Sequence, residues 1–106
     1  MIHEDNISYI NIVNKNDKVY GIAYIKKHFK AQLHFHKEPE FYYFIYGTGK
    51  LYIDNAIYEI HSPQKIQTKS NKVHAMTPYT DYVLIFYVFS HGPFDKIKYT
   101  YLNSYL

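Results

Sequence analysis

The sequence of 106 residues contains no cysteine, no arginine and no tryptophan. Without cysteine the chain cannot form disulfide bridges or thiolate metal sites. Arginine is the side chain that most often reads phosphates and guanine edges, and the twelve basic residues present are dispersed lysines, so we expect no nucleic-acid partner. No apolar run approaches the roughly 20 residues that a membrane span requires, so we expect no membrane partner.

Apolar side chains are abundant instead. Hydrophobic residues make up 47% of the chain and aromatic residues 20%, which argues against disorder. A chain of 106 residues without a linker-like stretch predicts a single domain over residues 1–106. The first residues are polar and acidic, unlike the basic and then apolar start of a signal peptide, so we expect a cytoplasmic location.

Short segments rich in β-branched and aromatic residues recur along the chain, separated by turn formers such as Asn, Asp, Gly and Pro. They predict strands at residues 7–13, 19–25, 32–36, 41–46, 50–53, 56–60, 65–68, 72–76, 82–89 and 97–102. No window has the apolar periodicity of a helix. We therefore predict an all-β fold, a small antiparallel β-barrel or two-sheet sandwich.

The segment 82–89 is apolar at nearly every position, so neither of its faces is suited to water. Such a strand is either central in its sheet or covered on its outer face by another subunit. An exposed apolar surface of that size is unusual for a small monomer, so we expect a homodimer.

A cluster of histidines and one carboxylate contains the candidate metal ligands. His34 and His36 lie two residues apart on a predicted strand and therefore share a face. Burying two unpaired imidazoles is costly, and a metal ion bound by their neutral ring nitrogens removes that cost. Glu40 follows the bend at Pro39 and can reach back to the same point, and His74 lies in a later strand. Three imidazoles and one carboxylate suit one divalent transition metal ion: Fe, Mn, Ni, Co, Cu or Zn.

The residues around this cluster allow further predictions about one carboxylate and several aromatic side chains. Glu38 competes with Glu40 for the carboxylate role, but we expect Glu38 to be solvated. Tyr42, Phe44 and Tyr46 should share the face of Glu40. Tyr42 and Phe44 are candidates for the pocket wall, and Tyr42 is the catalytic candidate, because its hydroxyl could donate a hydrogen bond or a proton to a bound oxygen. The remaining histidines, at 3, 28, 61 and 91, are expected at the surface.

The spacing of these residues resembles the first motif of the cupin superfamily, which is HxH, three residues, Glu, six residues and Gly. It is matched without insertion or deletion by His34, His36, Glu40 and Gly47. The second motif is similar in spacing, with His74 as its last ligand. Its usual Pro-x-Gly turn is replaced by Lys69-Ser70-Asn71, where Asn71 can adopt the left-handed conformation that glycine normally supplies.

The resemblance covers about residues 30–102 and implies a jelly-roll (double-stranded β-helix) barrel that commonly pairs into dimers. It implies a metal-dependent enzyme of the dioxygenase, isomerase, decarboxylase or lyase type, acting on a small polar metabolite. The alternative is a non-catalytic module that binds a sugar-like molecule, similar to the sensor domains of arabinose-regulator-type transcription factors. Those regulators carry a helix-turn-helix segment after the barrel, so we expect a free-standing sensor to need a partner. A metal-storage role without turnover, or a site that binds its ligand without metal, is also consistent with the motif.

Overall fold

The computed structural model describes residues 2–4, 7–28 and 31–106, with side chains from residue 13 onward within those ranges. The described residues form eleven strands and one turn of 3₁₀ helix, Phe94–Lys96. The strands are β1 (Ile2–Glu4), β2 (Ile7–Lys15), β3 (Lys18–Lys26), β4 (Gln32–Phe35), β5 (Glu40–Tyr46), β6 (Thr48–Ile53), β7 (Ala56–His61), β8 (Gln64–Thr68), β9 (His74–Pro78), β10 (Tyr82–Phe89) and β11 (Thr100–Tyr105).

The strands form two antiparallel sheets. The six-stranded sheet has the order β1-β2-β3-β10-β5-β8, and the five-stranded sheet has the order β11-β4-β9-β6-β7. Each predicted strand overlaps an observed one, so the predicted all-β class is confirmed. Within the described part of the chain, no helix has the length and apolar character needed to cross a membrane.

The core lies between the two sheets, and β10 shows how it forms. Strand β10 is central in its sheet, between β3 and β5, which is one of the two alternatives that the sequence predicts. Its alternate residues are buried toward the five-stranded sheet, and these are Val83, Ile85, Tyr87 and Phe89. The intervening residues are half-buried on the outer face. Period-2 alternation therefore separates a fully packed inner face from an apolar outer one.

A β-bulge at Ile45 changes which side chains face the core. The pairing of β5 with β10 shifts register there, because Ile45 has no partner on β10. The extra residue turns Tyr46 to the outer face, where its ring stacks on Tyr82 with centroids 4.8 Å apart. Phe44 stays inside. The prediction that Tyr46 shares the face of Glu40 is therefore wrong.

Gly47 carries the chain from β5 in one sheet to β6 in the other. Its φ is +98°, a conformation that side chains disfavour. A Cβ atom at this position would also lie 2.6 Å from the carbonyl oxygen of Tyr82. The last position of the first motif therefore requires glycine on two independent grounds.

The last strand begins later than predicted. Residues 94–96 form the 3₁₀ turn, which closes with a 3.1 Å hydrogen bond from the Ile97 amide to the Phe94 carbonyl. Ile97 is buried in the core from this turn rather than from a strand. Extended pairing then starts at Thr100, so the predicted strand 97–102 is observed as Thr100–Tyr105.

Candidate metal centre

The candidate site lies where the two sheets meet. His34 is on β4, His36 follows that strand directly, and His74 opens β9, so the three histidines belong to the five-stranded side. Glu40 opens β5 in the six-stranded sheet. The chain crosses from one sheet to the other at Pro39, and this crossing turns the carboxylate toward the imidazoles.

Three of the four predicted ligands converge closely. One ligand atom from each of His36, Glu40 and His74 lies within 4.8 Å of the other two. Nε2 of His36 is 3.2 Å from Oε1 of Glu40, and Nε2 of His74 is 4.0 Å from the same oxygen. His34 does not join this group at that distance, but its ring centroid is 4.4 Å from that of His74.

Backbone carbonyls set the orientation of all three imidazoles. Each Nδ1 lies 2.8–2.9 Å from a carbonyl oxygen two residues away, in the pairs His34 with Gln32, His36 with Glu38, and His74 with Lys72. A carbonyl can only accept, so Nδ1 carries the proton and a neutral ring has its lone pair on Nε2. The Nε2 atoms of His36 and His74 are buried and have no hydrogen-bond partner. Two buried lone pairs beside a carboxylate fit a divalent transition metal ion.

Burial also keeps the imidazoles of His34 and His74 neutral. It lowers the pKa of His74 to about 3, with a further contribution from nearby His34 and a smaller opposing one from the Lys72 carbonyl. Burial likewise lowers the pKa of His34. For Glu40, burial raises the pKa, and the adjacent imidazole of His36 opposes the rise. The site is therefore rich in unprotonated nitrogen and short of positive charge, and a cation would stabilise the Glu40 carboxylate.

Tyr42 lies beside the site, as the strand alternation predicts. Its hydroxyl donates a 2.7 Å hydrogen bond to Oε1 of Glu40. Its ring centroid is 6.2 Å from that of His74. Tyr42 thus contacts a ligand residue directly through its hydroxyl and forms part of the wall around the imidazoles through its ring.

Glu38 is buried, which contradicts the prediction that it is solvated. It is 5% exposed, and its Oε1 has no hydrogen-bond partner. The backbone at Glu38 is held against the site, because its carbonyl accepts a 2.8 Å hydrogen bond from Nδ1 of the buried His36. Among the described residues, the metal-competent group contains Glu40 and not Glu38.

Three aromatic residues of the site were missed by the sequence reasoning. Phe89 packs edge-on against His36 with centroids 5.1 Å apart. Tyr99 lies 5.4 Å from His34, and Tyr101 lies 5.5 Å from it. The alternation of Tyr99 and Tyr101 in a predicted strand was the available signal, but nothing local indicates that β11 pairs with β4. Of the other histidines, 28, 61 and 91 are exposed as predicted, and the side chain of His3 lies outside the described residues.

The sequence matches no known family profile and no curated protein. Solved structures do match. KdgF from Halomonas sp. superposes with a TM-score of 0.81 at 12% identity, covering 90% of this chain and 89% of that one. A variant of salicylate 1,2-dioxygenase from Pseudoaminobacter salicylatoxidans gives 0.80 at 9% identity over 95% of this chain. A variant of oxalate decarboxylase from Bacillus subtilis gives 0.73 at 23% identity over 81% of this chain.

The extent of these matches differs. This chain spans 32% of the salicylate dioxygenase chain and 24% of the oxalate decarboxylase chain, so it corresponds to one part of each. It spans nearly all of KdgF. At these identities the likeness concerns the fold, and it agrees with the motif spacing of His34, His36, Glu40 and Gly47. The chain has the fold of the cupin superfamily.

Proposed function

We propose that the protein is a metal-dependent enzyme that acts on a small polar metabolite through a site of three histidines and one glutamate. The observation that carries the proposal is the pair of buried Nε2 atoms on His36 and His74, which have no hydrogen-bond partner and lie beside Glu40. Leaving buried polar atoms unpaired is unfavourable, and binding a cation satisfies both of them together. The names of several structures with this fold, a dioxygenase, a decarboxylase and lyases, are in keeping with an enzyme.

We propose His34 as the fourth ligand. Its Nδ1 is held by the Gln32 carbonyl in the same way that the other two imidazoles are held, so the ring presents Nε2. Its ring centroid lies 4.4 Å from that of His74 and 6.3 Å from that of His36, which supports a place beside the other ligands. The ion would be one of Fe, Mn, Ni, Co, Cu or Zn, since this donor set suits all of them.

A bound divalent ion would supply Lewis acidity, polarising a substrate oxygen. The chain's own residues do the rest. The carbonyls of Gln32, Glu38 and Lys72 hold the imidazoles in one tautomer and orientation. Tyr42 orients the carboxylate of Glu40 through its hydroxyl. The packing of Phe89 against His36 keeps water from that side of the site.

Elemental analysis of protein purified without a polyhistidine tag tests the proposal. We expect about one transition metal ion per chain, because the described residues contain one set of metal-competent side chains. The variants His36→Ala and His74→Ala should lose the ion, and His61→Ala, which removes an exposed histidine away from the site, should keep it. Protein that carries no metal and gains no thermal stability from Fe, Mn, Ni, Co or Zn would contradict the proposal.

A small-molecule sensor that works without metal predicts a different outcome. Its ligand would raise the melting temperature of the chelator-treated protein, and the effect would survive His34→Ala. If chelation abolishes all ligand binding, the metal-independent sensor is excluded. Melting temperatures of the metal-loaded and the chelator-treated protein, each with and without the small molecule, therefore distinguish the metal-dependent enzyme from the metal-independent sensor.

We also propose that the protein forms a homodimer through the outer face of its six-stranded sheet. Two rows of rings cross this face, and together we call them the outer aromatic face: Tyr20, Phe86 and Tyr43, and Tyr24, Tyr82 and Tyr46. Several members remain accessible, with Tyr43 37% and Tyr46 50% exposed. A contiguous apolar surface of this kind supports burial against a second copy.

A further inference from the structure

The four proposed ligands differ in their exposure to solvent. His36, Glu40 and His74 are 2%, 6% and 2% exposed. His34 is half-buried, and its partner on β11, Tyr101, is 46% exposed. Of the four proposed ligands, His34 is thus the most exposed, and Tyr101 beside it is more exposed still.

Two tyrosine rings lie beside the histidines at this more exposed position. The Tyr99 centroid lies 5.4 Å from that of His34 and 5.2 Å from that of His36. The Tyr101 centroid lies 5.5 Å from that of His34. The two tyrosine rings are 6.1 Å apart and inclined by only 20°, so they form one aromatic surface, which we call the tyrosine wall.

Core packing accounts for only part of the tyrosine wall. Tyr99 is half-buried and packs against the core cluster. Tyr101 is as accessible as Tyr58, which is 45% exposed on β7 at the opposite edge of the same sheet. An aromatic ring that remains accessible beside a buried set of metal-competent atoms is positioned to contact a ligand.

We propose that the tyrosine wall selects ligands that combine an aromatic ring with two neighbouring oxygen donors. This inference rests on the proposed function, because the oxygens would bind the ion held by the histidines and Glu40. Four protein ligands leave two positions on an octahedral ion, which suits a bidentate group. Aromatic rings attract one another at centroid separations of about 4.5–7 Å, and the site's own rings already use this geometry.

Two hydroxamates provide a matched pair of probes. Benzohydroxamate and acetohydroxamate carry the same oxygen-donor group and differ in the phenyl ring. Their affinities for the cobalt(II)-loaded protein can be followed by the visible absorption of the ion. We expect benzohydroxamate to bind about tenfold more tightly, which is the effect of one or two favourable ring contacts.

Variants of the tyrosine wall show whether the rings cause this preference. Tyr101→Phe should keep the ratio of the two affinities, because it keeps the ring. Tyr101→Leu should lower the ratio, and the double variant with Tyr99→Leu should bring it close to one. Tyr58→Leu is the control, since it removes an equally exposed ring away from the site. If the double variant does not fold, the affinity ratios of Tyr101→Leu and Tyr101→Phe are compared instead, and a lower ratio for Tyr101→Leu supports the inference.

Equal affinities for the two probes in the wild-type protein would overturn the inference, as would a ratio that Tyr101→Leu leaves unchanged. A chain that binds cobalt but neither hydroxamate would overturn it as well. All three outcomes leave the metal site intact. Failure to take up any metal would instead contradict the proposed function, and the inference with it.

Discussion

The hydroxyl of Tyr42 donates a 2.7 Å hydrogen bond to Oε1 of Glu40, and the same oxygen lies 3.2 Å from Nε2 of His36. Tyr42 and Glu40 are two residues apart on β5 and therefore share its inner face. The hydroxyl orients the carboxylate toward the imidazoles. This makes Tyr42 a positioning residue for the candidate metal centre, in addition to its place in the pocket wall.

Tyr42→Phe should weaken metal binding by about 10- to 100-fold, the usual effect of losing a hydrogen bond to a metal ligand. Titration calorimetry with Zn(II) or Co(II) measures it. The control is Tyr43→Phe, which changes the next residue on the outer face, where the ring is 37% exposed. If Tyr42 served only as an acid toward substrate, Tyr42→Phe would leave the metal affinity unchanged.

Glu40→Gln should raise the stability of the metal-free protein and lower its affinity for metal. Burial raises the pKa of Glu40, so its ionised form is disfavoured in the metal-free protein. A neutral side chain of the same shape should therefore stabilise the metal-free fold by on the order of 1 kcal/mol in urea denaturation. Metal affinity should fall by more than the roughly 100-fold upper range of outer-sphere changes. Glu59→Gln, at an exposed position, should change neither quantity.

The stability of the metal-free protein should depend on pH through His74. Its pKa is lowered to about 3 in the fold from an ordinary value of 6.5. Between those values the unfolded chain takes up a proton that the folded chain does not, so the free energy of unfolding falls on acidification by about 1.4 kcal/mol per pH unit. Glu40 acts in the opposite sense, because its raised pKa lets the folded chain bind a proton at higher pH than the unfolded one.

Comparing variants isolates the His74 contribution. Urea denaturation at pH 7, 6 and 5 should give a shallower loss of stability for His74→Gln than for the wild type. His61→Gln removes an exposed histidine and should follow the wild type. Parallel slopes for His74→Gln and the wild type would show that His74 is not held neutral by the fold.

Leu84→Glu should prevent dimerisation through the outer aromatic face. Leu84 is half-buried on the outer side of β10, between the two rows of rings. A charge there would have to be desolvated in the interface without a partner. Light scattering should report about twice the 12.7 kDa chain mass for the wild type and a single chain for the variant. Ile57→Glu, at a 51% exposed position on β7, should remain dimeric. A wild-type mass near one chain would refute the dimer.

The local sequence pattern was sufficient to predict many structural features of this protein. Period-2 alternation determined that His34 and His36 share a face, because side chains of a strand alternate regardless of what the strand pairs with. The requirement for glycine at position 47 was readable from the motif, and its φ of +98° supplies the reason. Asn71, expected in the left-handed region, has a φ of 60°. Its backbone amide donates a 2.9 Å hydrogen bond to the His36 carbonyl. This bond connects the turn of the second motif, which lacks the usual Pro and Gly, to the first motif.

Other features were decided only by the tertiary structure. The turn before His74 lacks the usual Pro and Gly of the second motif, yet His74 lies inside the 4.8 Å group, and His34 lies beside it. Local pattern also failed to predict three other features. These are the burial of Glu38, the outward turn of Tyr46 at the bulge, and the pairing of Tyr101 with His34. Local sequence determines the period of a strand, whereas register, bulges and neighbours depend on how distant strands pack into one core. The motif residues were therefore visible in the sequence, and the surroundings that orient them are determined by the fold.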